Sequence, residues 1–392
     1  MEADLLSRLE ALEKESLRRT LRLVTSAQGP EIEWAERRLL NFSSNDYLGL
    51  ATERCLLDAA RRALDQYGVG AGASRLVCGT LAPHADLESA LVAWKRVEAA
   101  LVFSSGYAAA VGGISALVGA DDVVILDKLS HASLIDGARL SGAKLRVFPH
   151  NNLERLESHL KWARAHYPKA RVLVVTESVF SMDGDRSSLR EIVDLKERYD
   201  AWLMVDEAHA VGLFGRKGCG LVDAEGLQGR VEIQMGTLSK ALGGSGGYLC
   251  GSRALVDWLV NKARSFVYST APSPVVAAVG AAAVRWMETE EASERRARLR
   301  SNVERLVKNT AGVFTEAQSA ILPIKFGGAE RALRASAALL EAGFWVPAIR
   351  YPTVAKGTER LRVTVSAVHS EVALDALGQA VLGVREGGSE AN

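Results

Sequence analysis

The stretch Ala201-Trp-Leu-Met-Val-Asp206-Glu-Ala-His209 is an apolar run that stops at a carboxylate and carries a histidine just beyond it. Its unbroken hydrophobicity reads as a strand buried on both faces, the kind found inside a parallel sheet covered by helices. The pattern recurs. Ala99–Phe103, Val123–Leu126, Leu145–Phe148, Val172–Thr176, Ile233–Met235 and Tyr248–Cys250 are short apolar runs, and helically spaced segments such as Leu153–His166 and Leu189–Arg198 lie between them. Strand and helix in alternation predict an α/β domain with a mostly parallel central sheet. Ligands of such sheets bind at the carboxyl ends of the strands. Asp127, Glu177, Asp206 and Gly236–Lys240 all follow strands directly, so they are expected to converge on one site.

Outside that domain the pattern changes. Leu5, Leu6, Leu9, Leu12, Leu17 and Leu21 recur at helical spacing among Glu, Lys and Arg over residues 3–22, which predicts an amphipathic N-terminal helix packed on another surface. Ala271-Pro-Ser-Pro274 punctuates the chain. A long helix is expected over Val275–Val307, then strands at Ala320–Phe326 and Arg360–Ala367 and helices at Ala329–Ala342 and Glu371–Leu382. The expected organisation is an N-terminal arm at 1–40, a large α/β domain at 41–274 and a smaller α+β domain at 275–392, with a frayed tail from Glu386.

Composition narrows the function. With 392 residues, 48% hydrophobic and 24% charged, the chain has ordinary soluble character and one to three domains are expected. A net charge of +1 argues against a nucleic-acid or membrane-surface partner, and no apolar run is long enough to span a bilayer. Cys55, Cys78, Cys219 and Cys250 lack metal-binding spacing. That argues against a metal site or disulfide scaffold and fits a reducing cytoplasm. The first residues lack the basic and apolar regions of a signal peptide.

Chemistry enters with Ile233-Gln-Met-Gly-Thr237-Leu-Ser-Lys240-Ala-Leu-Gly-Gly, which sets a lysine among hydroxyls and among glycines that let a ligand approach the backbone. A carboxylate at one strand end and a lysine after the next are what pyridoxal phosphate (PLP) requires. The lysine bonds the aldehyde, and the carboxylate keeps the pyridine nitrogen protonated so that the ring accepts electrons. A lysine so placed should have a lowered pKa. Ser104-Ser-Gly106-Tyr107-Ala-Ala-Ala follows a strand and opens a helix, whose free N–H groups can hold a phosphate; many strand-to-helix turns share that pattern. His131 in Ser130-His-Ala-Ser133 could stack on a pyridine ring or only hydrogen-bond within its loop. Arg350 and Arg362 could grip a carboxylate, as guanidinium does well, or form surface ion pairs. His84, His150, His159, His166 and His369 read as structural.

Two rival motifs fail. A strand ending in Asp-Glu-Ala-His is also the metal box of helicase ATPases, which need a phosphate loop, yet the chain contains no Gly-Lys dipeptide. Gly68-Val-Gly-Ala-Gly-Ala-Ser74-Arg75 neither fits G-x-G-x-x-G nor follows a strand. It reads as a flexible loop near an active-site mouth or subunit interface rather than a dinucleotide loop.

Five segments in order, Asn41-Phe-Ser-Ser-Asn45-Asp-Tyr-Leu-Gly-Leu50, Leu129-Ser-His131-Ala-Ser, Thr176-Glu-Ser-Val-Phe-Ser181-Met-Asp-Gly-Asp185, Val205-Asp206-Glu-Ala-His209 and Gly236-Thr-Leu-Ser-Lys240-Ala, resemble the α-oxoamine synthases. The likeness covers nearly the whole chain. These are PLP enzymes of fold type I, the aspartate-aminotransferase type. The resemblance implies an acyltransferase that joins an amino acid to an acyl thioester carried by CoA or an acyl carrier protein, in a homodimer with active sites at the subunit interface. The segment Ala348-Ile-Arg350-Tyr-Pro-Thr353-Val points within the family to L-alanine as the amino acid, with glycine the alternative. Carried over residue by residue, Lys240 would be the Schiff-base lysine and Asp206 the pyridinium partner. His209 and Ser181 would contact the phenolic-oxygen region, Gly106, Tyr107 and Thr237 the phosphate side, and His131 the ring face. Arg362 would bind the amino-acid carboxylate, with Asn45 also counted among the substrate contacts, and Arg19, Arg350 and Thr353 would contact the acyl substrate. Tyr351 and Ser239 depart from the common proline and glycine, and neither removes a group the chemistry needs.

Overall fold

The computed structural model describes residues 1–310, 312–314 and 317–386, so the expected frayed tail beyond Glu386 lies outside the described residues. The chain divides into two compact units, one of Met1–Gly49, Met182–Gly184 and Ala297–Asn392, the other of Leu50–Ser181 and Asp185–Arg296. Two short strands, β1 (Glu31–Trp34) and β2 (Arg37–Asn41), precede seven that form the central sheet. These are β3 (Ala99–Phe103), β4 (Val123–Asp127), β5 (Lys144–Phe148), β6 (Val172–Glu177), β7 (Trp202–Asp206), β8 (Ile233–Thr237) and β9 (Gly247–Gly251). Four more follow: β10 (Ile321–Lys325), β11 (Phe344–Trp345), β12 (Ala348–Ile349) and β13 (Arg360–Thr364).

The central sheet belongs to the second unit and runs β3-β9-β8-β7-β6-β4-β5. From β8 to β5 all neighbours are parallel. Only β9 reverses, pairing antiparallel with β8 and β3. Every residue of β3, β4, β6 and β8 is buried. Burying each Val, Leu or Ile there stabilises by roughly 1.5–3 kcal/mol, which is why these strands read as unbroken apolar runs. One face packs on the helix Gly106–Leu117 through Ala109, Ala110 and Ile114, in a core shared with Leu101, Phe103, Leu126, Met235 and Leu249. Each expected strand of this sheet is present within a residue or two. The helices Leu153–His166 and Leu189–Arg198 fall where the spacing puts them.

In the first unit, β1-β2-β11 and β10-β13-β12 form two three-stranded sheets. Helices cover Ala329–Glu341 and Glu371–Glu386, close to the expected spans.

Two expectations are corrected. The N-terminal helix stops at Lys14 and buries none of its residues. Ser16 enters the left-handed region at φ 56°, and Leu17 N–H and Arg18 N–H both donate to Leu12 O, at 2.8 and 3.2 Å, closing the helix end. Leu17 and Leu21 continue the leucine spacing outside the helix. The long helix expected over Val275–Val307 is two, Pro274–Trp286 and Glu290–Asn309. Thr289 Oγ1 ends the first by donating to Trp286 O and caps the second by accepting from Ala292 N–H at 3.2 Å.

Candidate active site

Parallel pairing lines up the carboxyl ends of β6, β7 and β8. Glu177 stands opposite Asp206, and Asp206 opposite Met235. Beyond those ends the chain turns back with polar side chains in hand. Asp206 Oδ1 accepts from Ala208 N–H at 2.8 Å, folding the Asp-Glu-Ala-His turn so that His209 follows. His209 Nε2 lies 2.8 Å from Lys240 Nζ, so the ends of β7 and β8 meet through the two expected site residues. Asp206 is buried, which pushes its carboxyl up, while Lys240, the Ala208 N–H and His131 pull the other way.

His131 lies in the loop after β4. Its backbone N–H donates to Glu177 Oε1 at 2.5 Å. Ser133 N–H donates to His131 Nδ1 at 3.2 Å, which makes Nδ1 an acceptor and places the neutral ring's proton on Nε2. Burial lowers the His131 pKa, Asp206 raises it and Lys240 lowers it, with a net downward shift that favours this neutral ring.

On the other side, Ser105 caps the helix Gly106–Leu117 by accepting from Ala108 N–H at 3.0 Å. The first-turn N–H groups of Gly106 and Tyr107 point out of the helix start. A Cβ on Gly247 would sit 2.6 Å from Gly106 Cα, so glycine at 247 lets the helix start lie against β9. A Cβ on Gly106 would sit 3.7 Å from Thr237 Cβ, which places the helix start beside Thr237. Thr237 Oγ1 donates to Gly246 O and lies 2.7 Å from Ser239 Oγ. Tyr107 instead sends its hydroxyl to Asp136 at 2.7 Å and is half exposed. Ser181 is buried at the end of the 178–181 segment, which is tied to β7 by Ser178 N–H donating to Asp206 O at 2.9 Å.

The residues expected to contact substrate form groups of their own in the first unit. Arg19 donates to Thr353 Oγ1 at 3.0 Å. Arg350 donates to Ser16 O and to Arg18 O. Arg19, Arg22, Arg350 and Thr353 line a cavity of about 500 Å³. Burial lowers the Arg350 pKa, and Arg19 and Arg22 lower it further. Arg362 is buried and donates to Asn45 Oδ1 at 3.1 Å, the oxygen that also accepts from Tyr47 OH at 3.2 Å.

Two polar arrangements carry no sequence signal. Glu207, between Asp206 and His209, forms an ion pair with Lys95, Nζ to Oε2 2.6 Å, sealed from solvent. Lys95 also donates to Cys219 O at 2.5 Å, and Val222 N–H donates to Glu207 Oε1 at 2.9 Å. His150 bridges Asp127 at 3.0 Å and Asp185 at 2.6 Å. His84 and His369, both buried, bond to the backbone as structural histidines.

A dry carboxylate, a lysine one strand over, a neutral imidazole and a helix N-terminus flanked by hydroxyls make a donor set that fits PLP. Asp206 suits a protonated ring nitrogen, Lys240 an aldehyde, and Gly106, Tyr107, Thr237 and Ser239 a phosphate.

The chain belongs to the class I and II aminotransferase family, whose model matches residues 37–381. A curated relative, the 8-amino-7-oxononanoate synthase of Anaeromyxobacter dehalogenans, is 47% identical over 372 residues, 94% of this chain and 92% of that one. Among solved structures, the Sphingomonas wittichii serine palmitoyltransferase superposes with a TM-score of 0.92 at 31% identity, over 99% of this chain and 98% of that one. A serine palmitoyltransferase from S. paucimobilis, solved with a bound PLP–myriocin aldimine, gives 0.92 at 29% identity over the same shares.

Proposed function

We propose that this protein is an 8-amino-7-oxononanoate synthase. It joins L-alanine to a pimeloyl thioester, on CoA or an acyl carrier protein, and releases carbon dioxide and the thiol, a step of biotin biosynthesis. The observation that carries the reading is the Asp206–His131–Lys240–His209 group at the parallel strand ends. The 47% identity over 94% of the chain selects this activity among PLP-dependent acyl transfers.

PLP, when bound, supplies the electron sink that makes the α-carbon of alanine acidic. Lys240 holds the cofactor and then, as a free amine, takes and returns the α-proton at Nζ. Asp206 keeps the proton on the pyridine nitrogen, and its burial strengthens that contact. His209, beside Lys240, and Ser181 hold the cofactor's phenolic-oxygen side. His131 offers Nε2–H to the substrate's developing oxyanion and covers the ring. The start of the helix Gly106–Leu117, with Thr237, holds the phosphate. Arg362 and Asn45 bind the alanine carboxylate, and Arg19, Arg350 and Thr353 hold the acyl substrate. On this reading the protein is a cytoplasmic homodimer. The unpaired cysteines support the compartment, and the solvent-facing Leu5, Leu6, Leu9 and Leu12 on the N-terminal helix support a partner subunit.

The test is turnover. The purified protein should yield 8-amino-7-oxononanoate from L-alanine and pimeloyl-CoA. Turnover confined to glycine with acetyl-CoA would instead make it a 2-amino-3-ketobutyrate ligase, and a palmitoyl product from serine would place it with its structural neighbours.

A further inference from the structure

Glu177 is a buried carboxyl to which the proposed reaction gives no step. It ends β6 directly opposite Asp206 at the end of β7 and is 2% exposed. Paired residues of parallel strands point to the same face of the sheet, so the two carboxyls share one dry space. The groups that face Glu177 are Asp206 from β7, Lys240 from the turn after β8, Asp127 from the end of β4 and the backbone N–H of His131. Two carboxyls this close do not both ionise readily, and one takes the proton.

The surroundings decide which. Asp206 has Lys240, the Ala208 N–H and His131 favouring its anion. Glu177 has Lys240 and the His131 N–H in its favour, but two carboxylates against it. Burial followed by the Asp206 charge drives its carboxyl well above the usual range. A neutral carboxyl still accepts at its carbonyl oxygen, which suits the 2.5 Å bond from His131 N–H.

We propose that Glu177 is a positioning residue of this site: an uncharged carboxyl that pins the His131 backbone and leaves Asp206 as the anion for the ring nitrogen. The inference rests on the proposed function only for the identity of the cofactor. Glutamine has the same shape, no charge and the same carbonyl acceptor, so it should stand in for Glu177. Leucine removes the acceptor, strands a buried N–H and frees the His131 loop.

The test uses the full chain. Infrared difference spectra of PLP-free wild type against Glu177→Gln at pH 7 should show a protonated-carboxyl band lost in the variant, with no carboxylate band lost. Glu177→Gln should bind PLP within about threefold of wild type. Glu177→Leu should lose about 100-fold in kcat with KM for L-alanine changed less than about threefold, the signature of a displaced group rather than a lost binding contact. Loss of a carboxylate band, or a glutamine variant as impaired as the leucine one, overturns the inference. If Glu177→Leu does not fold, the spectra and the glutamine variant still decide. A wild type that fails to join L-alanine to pimeloyl-CoA would refute the proposed function and leave the infrared result standing.

Discussion

Lys240 and His209 meet at 2.8 Å, nitrogen to nitrogen, although 31 positions separate them along the chain. They meet because β7 and β8 are parallel neighbours whose following turns fold over the same sheet edge. The amine proposed to carry the cofactor therefore begins next to a group proposed to hold the cofactor's oxygen side. Lys240→Ala should lose the visible absorption of the lysine-bound cofactor. Turnover should fall by at least about 10³-fold, since general-base catalysis alone contributes about 10²–10⁴. Absorption spectra and steady-state assays of the purified variant check both, and a yellow, active Lys240→Ala would remove the lysine's assigned role.

Asp206→Asn keeps the shape and its capacity to accept from Ala208 N–H but removes the charge facing Lys240 and His131. The fold should survive, because burying a neutral amide is less costly than burying the anion. Turnover should drop by at least about 100-fold, because in the proposed function the ring nitrogen would lose the group that keeps it protonated. A near-normal melting temperature with lost turnover is the expected pair of readings. Retained turnover would mean that another group protonates the ring.

The Lys95–Glu207 pair makes a separate, structural prediction. With both side chains sealed from solvent, removing one leaves the other's charge buried and unpaired. Lys95→Met should cost about 3–5 kcal/mol in urea unfolding, whereas the double variant Lys95→Met with Glu207→Leu should recover much of that loss. Gly220 belongs to the same arrangement. It sits at φ +112°, and a Cβ there would run into the Glu207 carboxyl, so Gly220→Ala should also destabilise. A double variant as unstable as the single one would show that the pair contributes more than mutual neutralisation.

The sheet was legible because its central strands are buried on both faces, so Val123–Asp127 and Val172–Glu177 each stand out as one apolar run. Asp206 and Lys240 were legible for a related reason: parallel strands put their ends on one side, and polar residues just past such runs have few structural reasons to be there. Lys95 was not, because it closes a helix whose Leu87, Leu91 and Trp94 are buried core residues, and its partner is 112 positions away. The bridge from Asp127 through His150 to Asp185 was hidden in the same way, as its parts lie on separate connections. The break at 287–289 was missed because one threonine hydroxyl makes it, amid residues that all favour helix. The N-terminal helix was overextended because its leucine spacing continues beyond the turn at Ser16.

The histidines set opposite pH limits on stability. Burial works against a charged His150, but its bonds to Asp127 and Asp185 outweigh burial and raise its pKa to about 10. A raised folded-state pKa contributes stability that is fully present below the unfolded value near 6.5 and is lost as pH rises through about 10. His369 is the reverse case. Burial, with the Phe42 ring 4.1 Å away, holds it neutral and lowers its pKa to about 4, outweighing the bond to Asn41 O, which favours the charged ring. Its contribution is present above about 6.5 and is lost as pH falls toward 4, because the unfolded chain takes the proton first. Urea unfolding followed from pH 4 to 10 should therefore show His150→Gln losing most relative to wild type below about pH 7, with the gap closing toward pH 10. His369→Gln should lose most above about pH 6.5, with its gap closing toward pH 4. If the His150→Gln gap widened toward alkaline pH, the bridge would not be carrying a charged imidazole, and the Asp127 and Asp185 carboxyls would have to be held by their N–H donors instead.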